Sequence, residues 1–109
     1  MTLLDWLAAR DPASEPALSH RIRELAEGCE DAPANTPDQC IAAAEHALAR
    51  LLAGDQTSRQ CALDLLAIDA LVTYSFEAAA RSPERIPALA HDAMVRLARV
   101  SPPRPQSPA

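Results

Sequence analysis

A chain of 109 residues fits a single domain with one modest core. Its formal charge of −5, with ten arginines and no lysine, argues against nucleic acid as a partner, because phosphate binding is carried by clustered Lys and Arg. No apolar run approaches the roughly 18 residues that a bilayer span requires, and Met1 to Arg10 places Asp5 ahead of any positive charge, unlike a secretory signal.

These features predict a protein of the cytoplasm with no membrane partner. Cys29, Cys40 and Cys61 are odd in number and follow no paired spacing, which fits free, reduced thiols. Arginine used to the exclusion of lysine, with abundant Ala and Pro, is the coding habit of a GC-rich bacterial genome.

Glycines are few, β-branched residues are scarce, and no segment alternates apolar with polar. The chain therefore reads as helices joined by short turns. A first short helix is predicted from about Thr2 to Arg10, ended by Asp11-Pro12. Ser14 caps a second, with Glu15 and Pro16 in its first turn and Leu18, Ile22 and Leu25 on its apolar face. Gly28 marks its end.

The stretch Glu30 to Asn35 reads as a loop. Thr36-Pro37-Asp38-Gln39 then has helix-start chemistry, with Thr36 as cap and Gln39 placed to reach back. The third helix is expected to run to about Ala53, burying Ile41, Ala44, Leu48, Leu51 and Leu52, with Gly54 as its stop. Thr57-Ser58-Arg59-Gln60 repeats the capping pattern and opens the longest helix, to about Arg81. Cys61, Leu65, Ile68, Val72, Phe76 and Ala79 form its main stripe, while Leu63, Leu66, Ala70 and Leu71 lie off it. A helix apolar on several sides is expected at the centre of the fold. Ser82-Pro83-Glu84 starts a fifth helix that buries Ile86, Leu89, Ala93, Leu97 and Val100. Residues 101–109 are Pro-rich and predict a flexible tail.

An internal echo links the two later helix starts. Thr36-Pro37-Asp38 matches Ser82-Pro83-Glu84 at an offset of 46 residues, and Ala44, Ala47, Arg50 and Leu51 match Ala90, Ala93, Arg96 and Leu97. Duplicated helical hairpins would produce this pattern, and so would shared helix-start chemistry in an Ala-rich chain. Two units are too few for a solenoid.

The search for chemistry is largely negative. On a helical projection His20, His46 and His91 all lie opposite the apolar stripes and point to water. The cysteines are too far apart for the close pairs of zinc sites, and each sits beside an apolar stripe as a small hydrophobe does. No Glu-x-x-His pair of the di-iron bundles occurs, and the scarcity of glycine excludes a phosphate-cradling loop.

One polar stripe remains. Asp69, Thr73 and Glu77 recur at four-residue spacing on the long helix, with Tyr74 beside them. Covered by neighbours, Asp69 would have to be paired with an arginine or have its pKa raised. These four residues are the candidate ligand site, and pairing of Asp69 and Glu77 with arginines of adjacent helices is the structural alternative. Leu3, Trp6 and Leu7 form a second candidate, an anchor set at i, i+3 and i+4 for a partner groove.

The sequence thus predicts an all-α fold: an antiparallel four-helix bundle, with an extra short N-terminal helix and a disordered Pro-rich C-terminal tail. Residues 1–100 would form the single domain and 101–109 the tail. A non-enzymatic protein–protein interaction or regulatory module, self-associating as a homodimer that hides the second face of the long helix, is the leading function. The alternative is a small enzyme or ligand-binding bundle using the Asp69 stripe. No catalytic residue, metal or cofactor is expected, and the expected partner is a second copy or another protein.

Overall fold

The computed structural model describes residues 3–10, 16–27, 36–54 and 57–100, and within the first helix the side chains of residues 4–7. These residues form five α-helices: α1 (Leu3–Arg10), α2 (Pro16–Glu27), α3 (Thr36–Ala53), α4 (Arg59–Ala79) and α5 (Ile86–Ala98). No strand occurs among them, as the sequence pattern predicts. Ser14, Gly28, Cys29 and the tail 101–109 lie outside the described residues.

Local chemistry explains the boundaries. Pro37 sits in the first turn of α3, where a missing N–H costs nothing. Gly54 ends that helix by donating to the carbonyl of Leu51 at 3.2 Å, without entering the left-handed region. At α4 the cap falls one residue later than the sequence pattern suggests. Ser58 is extended (φ −77°, ψ 159°) and its hydroxyl accepts from the Cys61 amide at 3.0 Å. Gln60 then turns forward rather than back, and its amide donates to Asp64 at 2.9 Å.

The start of α5 also departs from a simple helix. Pro83–Arg85 forms a 3-10 turn before the α-helix begins at Ile86. Pro87 has no N–H to give the Pro83 carbonyl, so that carbonyl is taken by the Ile86 amide one position earlier, which is the tighter bond pattern.

The centre of the fold is the α3–α4 pair, so the long helix shares that place with α3. Both helices touch all the others, and the most extensive contact in the fold is the one between them. Apart from Gln39 and Ile41, the inward face of α3 is small: Cys40, Ala43 and Ala44 are fully buried and Ala47 nearly so. Small side chains let helices approach closely and be surrounded. Leu48, Leu51 and Leu52 are only half-buried.

α3 and α4 run in opposite directions, since Ser75 meets Pro37 while Asp64 lies near Arg50 at the other end. Ser75 is fully buried and its hydroxyl donates to the Pro37 carbonyl at 2.8 Å. The buried stripe of α4 is Ala67, Ile68, Leu71, Ser75 and Ala79. That is rotated from the expected stripe, because Leu65 is 55% exposed whereas Leu71 is fully buried.

Two buried clusters flank this helix pair. The larger joins Leu7, Ile22, Leu25 and Ala26 to Cys40, Ala44, Ile68 and Leu71. The smaller joins Ile41 and Ala79 to Leu89 and Ala93, with Phe76 and Ile86 packed against it. α2 and α5 thus contribute to different clusters.

The rotation of the stripe has a measurable consequence. Leu71→Ala is expected to cost about 2–5 kcal/mol as a buried truncation, whereas Leu65→Ala should stay within about 0.5 kcal/mol. Urea unfolding of the two variants, at dilutions where the midpoint no longer depends on protein concentration, checks this, and comparable losses there would contradict the buried face described here.

Candidate functional site

The residues of the candidate polar stripe are placed on different sides of α4. Asp69, Thr73 and Glu77 share one exposed face. The Thr73 hydroxyl donates to the Asp69 carbonyl of its own helix at 3.0 Å, the usual way a threonine is accommodated mid-helix. Asp69 is exposed, so the cover by neighbouring helices that the ligand-site reading needs is missing. Tyr74 looks elsewhere. It is half-buried and meets Trp6 edge to face, with ring centroids 6.1 Å apart and planes at 65°, a favourable aromatic geometry.

The arginine pairing foreseen for Asp69 is made by Asp64 instead. Arg21 of α2 reaches across to it with Nε at 2.6 Å and Nη2 at 3.2 Å, one bond to each carboxylate oxygen. Both side chains are largely covered, at 18% and 17% exposure. The hydrogen bond from Arg21, helped by Gln60 and by the charges of Arg21 and Arg50, outweighs desolvation and holds the Asp64 carboxyl below its ordinary range. A second pair joins α5 to α3: Arg96 donates to Glu45 through Nη2 at 2.8 Å and Nε at 3.2 Å. Asp92 lies 3.7 Å from the same guanidinium.

Sequence reasoning passed over both pairs. Asp64 stands five residues before Asp69, and its helical position marks it as inward-facing only once the buried stripe is known to centre on Leu71. Glu45 and Arg96 belong to helices whose mutual register no local pattern specifies.

The N-terminal anchor residues are engaged with their own chain. Leu7 is buried in the larger cluster, and Trp6 is half-buried against it. The side chain of Leu3 lies outside the described residues. His20, His46 and His91 are exposed. Among the described residues, no three His, Cys, Asp or Glu side chains gather as a metal site would need. Cys40 is fully buried, which pushes its thiol up to about 12. Cys61 is half-buried.

A cleft of about 710 Å³ opens at one end of the helix pair. Both halves of the internal echo meet there, with Thr36, Pro37 and Asp38 on one side and Ser82 and Glu84 on the other, and Trp6 forms part of the wall. Spatial convergence of the two helix starts was not readable from the sequence, since it depends on α3 and α5 lying side by side.

Two outcomes follow from the electrostatics. The folded-state pKa of Asp64 is depressed, so its stabilising contribution is complete above the ordinary carboxylate value and is lost as pH falls through the lowered one. Asp64→Asn should therefore lower stability near neutrality and flatten the acid limb of the unfolding profile; an unchanged limb would count against the pair. For the thiols, alkylation of the folded protein should modify Cys61 well before Cys40, as peptide mass mapping would reveal.

Set against known proteins, the chain matches no family model, no curated protein and no solved structure. Its functional reading rests on its own residues.

Proposed function

We propose that this protein is a non-enzymatic helical interaction module that self-associates through the outer face of α4. The observation that carries this reading is the exposure of two adjacent leucines in one turn: Leu65 is 55% and Leu66 57% exposed. Single exposed leucines are common on soluble proteins. Here they adjoin exposed Ala62 on the longest described helix.

The outer face of α4 has two halves. Ala62, Leu65 and Leu66 make the N-terminal half apolar, and Asp69, Thr73 and Glu77 make the C-terminal half polar. A two-fold axis near Leu65 and Leu66 would set the apolar half of one copy on that of the other, as an isologous dimer requires. Antiparallel pairing of the two helices then brings Asp69 within about a turn of Arg59 on the second copy. The residues of the polar stripe serve in this arrangement as the rim of an interface.

In the same reading the four longer helices form an antiparallel bundle in each subunit. The protein works in a bacterial cytoplasm. Regulation by association with another protein would use the same face, so dimerisation is the first thing to establish.

Sedimentation of the untagged chain over a concentration series tests the proposal. The wild type is expected to sediment as a dimer, and the double variant Leu65→Glu, Leu66→Glu as a monomer of unchanged helicity. Because both side chains are exposed, the variant's fold should survive. A wild type that stays monomeric at every concentration would overturn the reading.

A further inference from the structure

The cleft at the end of the α3–α4 pair shares no residue with the outer α4 face and has the dimensions of a small-molecule site. Its volume of about 710 Å³ falls in the ~300–1,000 Å³ range of such sites. Its apolar walls are small or flat. Ala78, Ala79 and Ala88 leave the space open, and Trp6, Pro37 and Leu89 border it. Trp6 is half-buried, and its edge-to-face contact with Tyr74 holds the indole in place. A ring set in advance favours an aromatic guest, because two rings in contact gain more than their buried area alone supplies.

The charges around the cleft select neither sign. Asp92 lies 3.7 Å from the Arg96 guanidinium, and Asp38 is already engaged and acts on the same group. Arg81, Glu84 and Arg85 are exposed, so water and salt screen all three alike. A charged guest would give up hydration here without meeting a covered counter-charge that is not already engaged. The lining also holds two hydroxyls, from Thr36 at the start of α3 and Ser82 ahead of the turn that leads into α5. Ser82 makes no capping bond with its side chain. A hydroxyl both donates and accepts, so the two can meet a neutral polar group of either kind.

From these features we propose that the cleft binds an uncharged aromatic molecule carrying a hydrogen-bonding group, its rings against Trp6 and Leu89 and its polar group at Ser82 and Thr36. The apolar walls supply most of the contact area, and the hydroxyls supply the orientation. The two halves of the internal echo thereby share a task, since each contributes the hydroxyl residue that opens its helix. The site stands independently of dimerisation.

Trp6 is the sole tryptophan of the chain, so the protein carries its own reporter. Fluorescence titrations of the full chain should compare biphenylmethanol, biphenylacetate and biphenylmethylammonium, which share one aromatic body and differ in charge. The alcohol is expected to give a saturable change, with each charged probe about tenfold weaker. Ser82→Ala should weaken the alcohol roughly fivefold, the loss of one neutral hydrogen bond. Ala88→Leu, at an exposed helical position where leucine is well tolerated, should abolish binding of all three while circular dichroism stays unchanged. The double variant Leu65→Glu, Leu66→Glu should bind the alcohol as the wild type does, which separates the cleft from the outer face of α4. No saturable response to the alcohol, or equal binding of either charged probe, would overturn the proposal. So would undiminished binding by the Ser82→Ala or Ala88→Leu variant, or loss of binding in the α4-face variant.

Discussion

The close approach of α3 and α4 is the contact on which the rest of the molecule is built. It is made by side chains too small to hold two helices apart, with Ala43, Ala44 and Ala67 fully excluded from solvent. Small residues supply little apolar area each, so packing at short range and the alignment of many contacts must compensate. One polar bond sits inside this seam, from Ser75 to the Pro37 carbonyl. A buried hydroxyl without a partner is costly, and this one takes its partner across the seam, which it does when the end of α4 is in register with the start of α3. The seam therefore has a preferred alignment that alanines alone would not impose.

The flanking helices are attached to that pair by a common device. Each supplies an apolar face to one cluster and an arginine to a carboxylate of the central pair: Arg21 of α2 to Asp64 of α4, and Arg96 of α5 to Glu45 of α3. Two-pronged contacts between guanidinium and carboxylate carry direction as well as energy. Their net worth is on the order of 1–3 kcal/mol each when largely covered. Their larger effect is on register, because a helix shifted by one turn would leave a half-buried carboxylate unpaired.

What this architecture leaves uncovered gives it two different surfaces. The outer face of α4 is flat, with leucines grading into acids. The end of the α3–α4 pair is concave, lined by alanines, an indole and charges of both signs. One suits a second helix and the other a small molecule. Both lie outside the two buried clusters, Leu65 and Leu66 on the far side of α4 and the alanines where helix ends leave room.

Much of the secondary structure was legible because it is governed by neighbours in sequence. Proline in a first turn, a serine hydroxyl before a helix and a glycine after one act within a few residues, and the starts of α3 and α4 and the end of α3 follow from them. Even the 3-10 turn ahead of α5 is a local matter, due to the N–H that Pro87 lacks. The inward face of α4 was not legible. Leu63, Leu65, Leu66 and Leu71 surround the helix, so apolar periodicity admits more than one answer, and burial of Leu71 rather than Leu65 is settled by where α2 and α3 pack. The same packing decided that Asp64 is the paired carboxylate and Asp69 the exposed one, since an ion pair needs Arg21 at the right place in space. The sequence by itself determined an acidic all-helical chain and most of its helix boundaries, because those depend on short-range chemistry. Tertiary structure alone decided that α3 shares the centre with α4, which acids are covered, and that two distant helix starts share one cleft, because each depends on how separate helices meet.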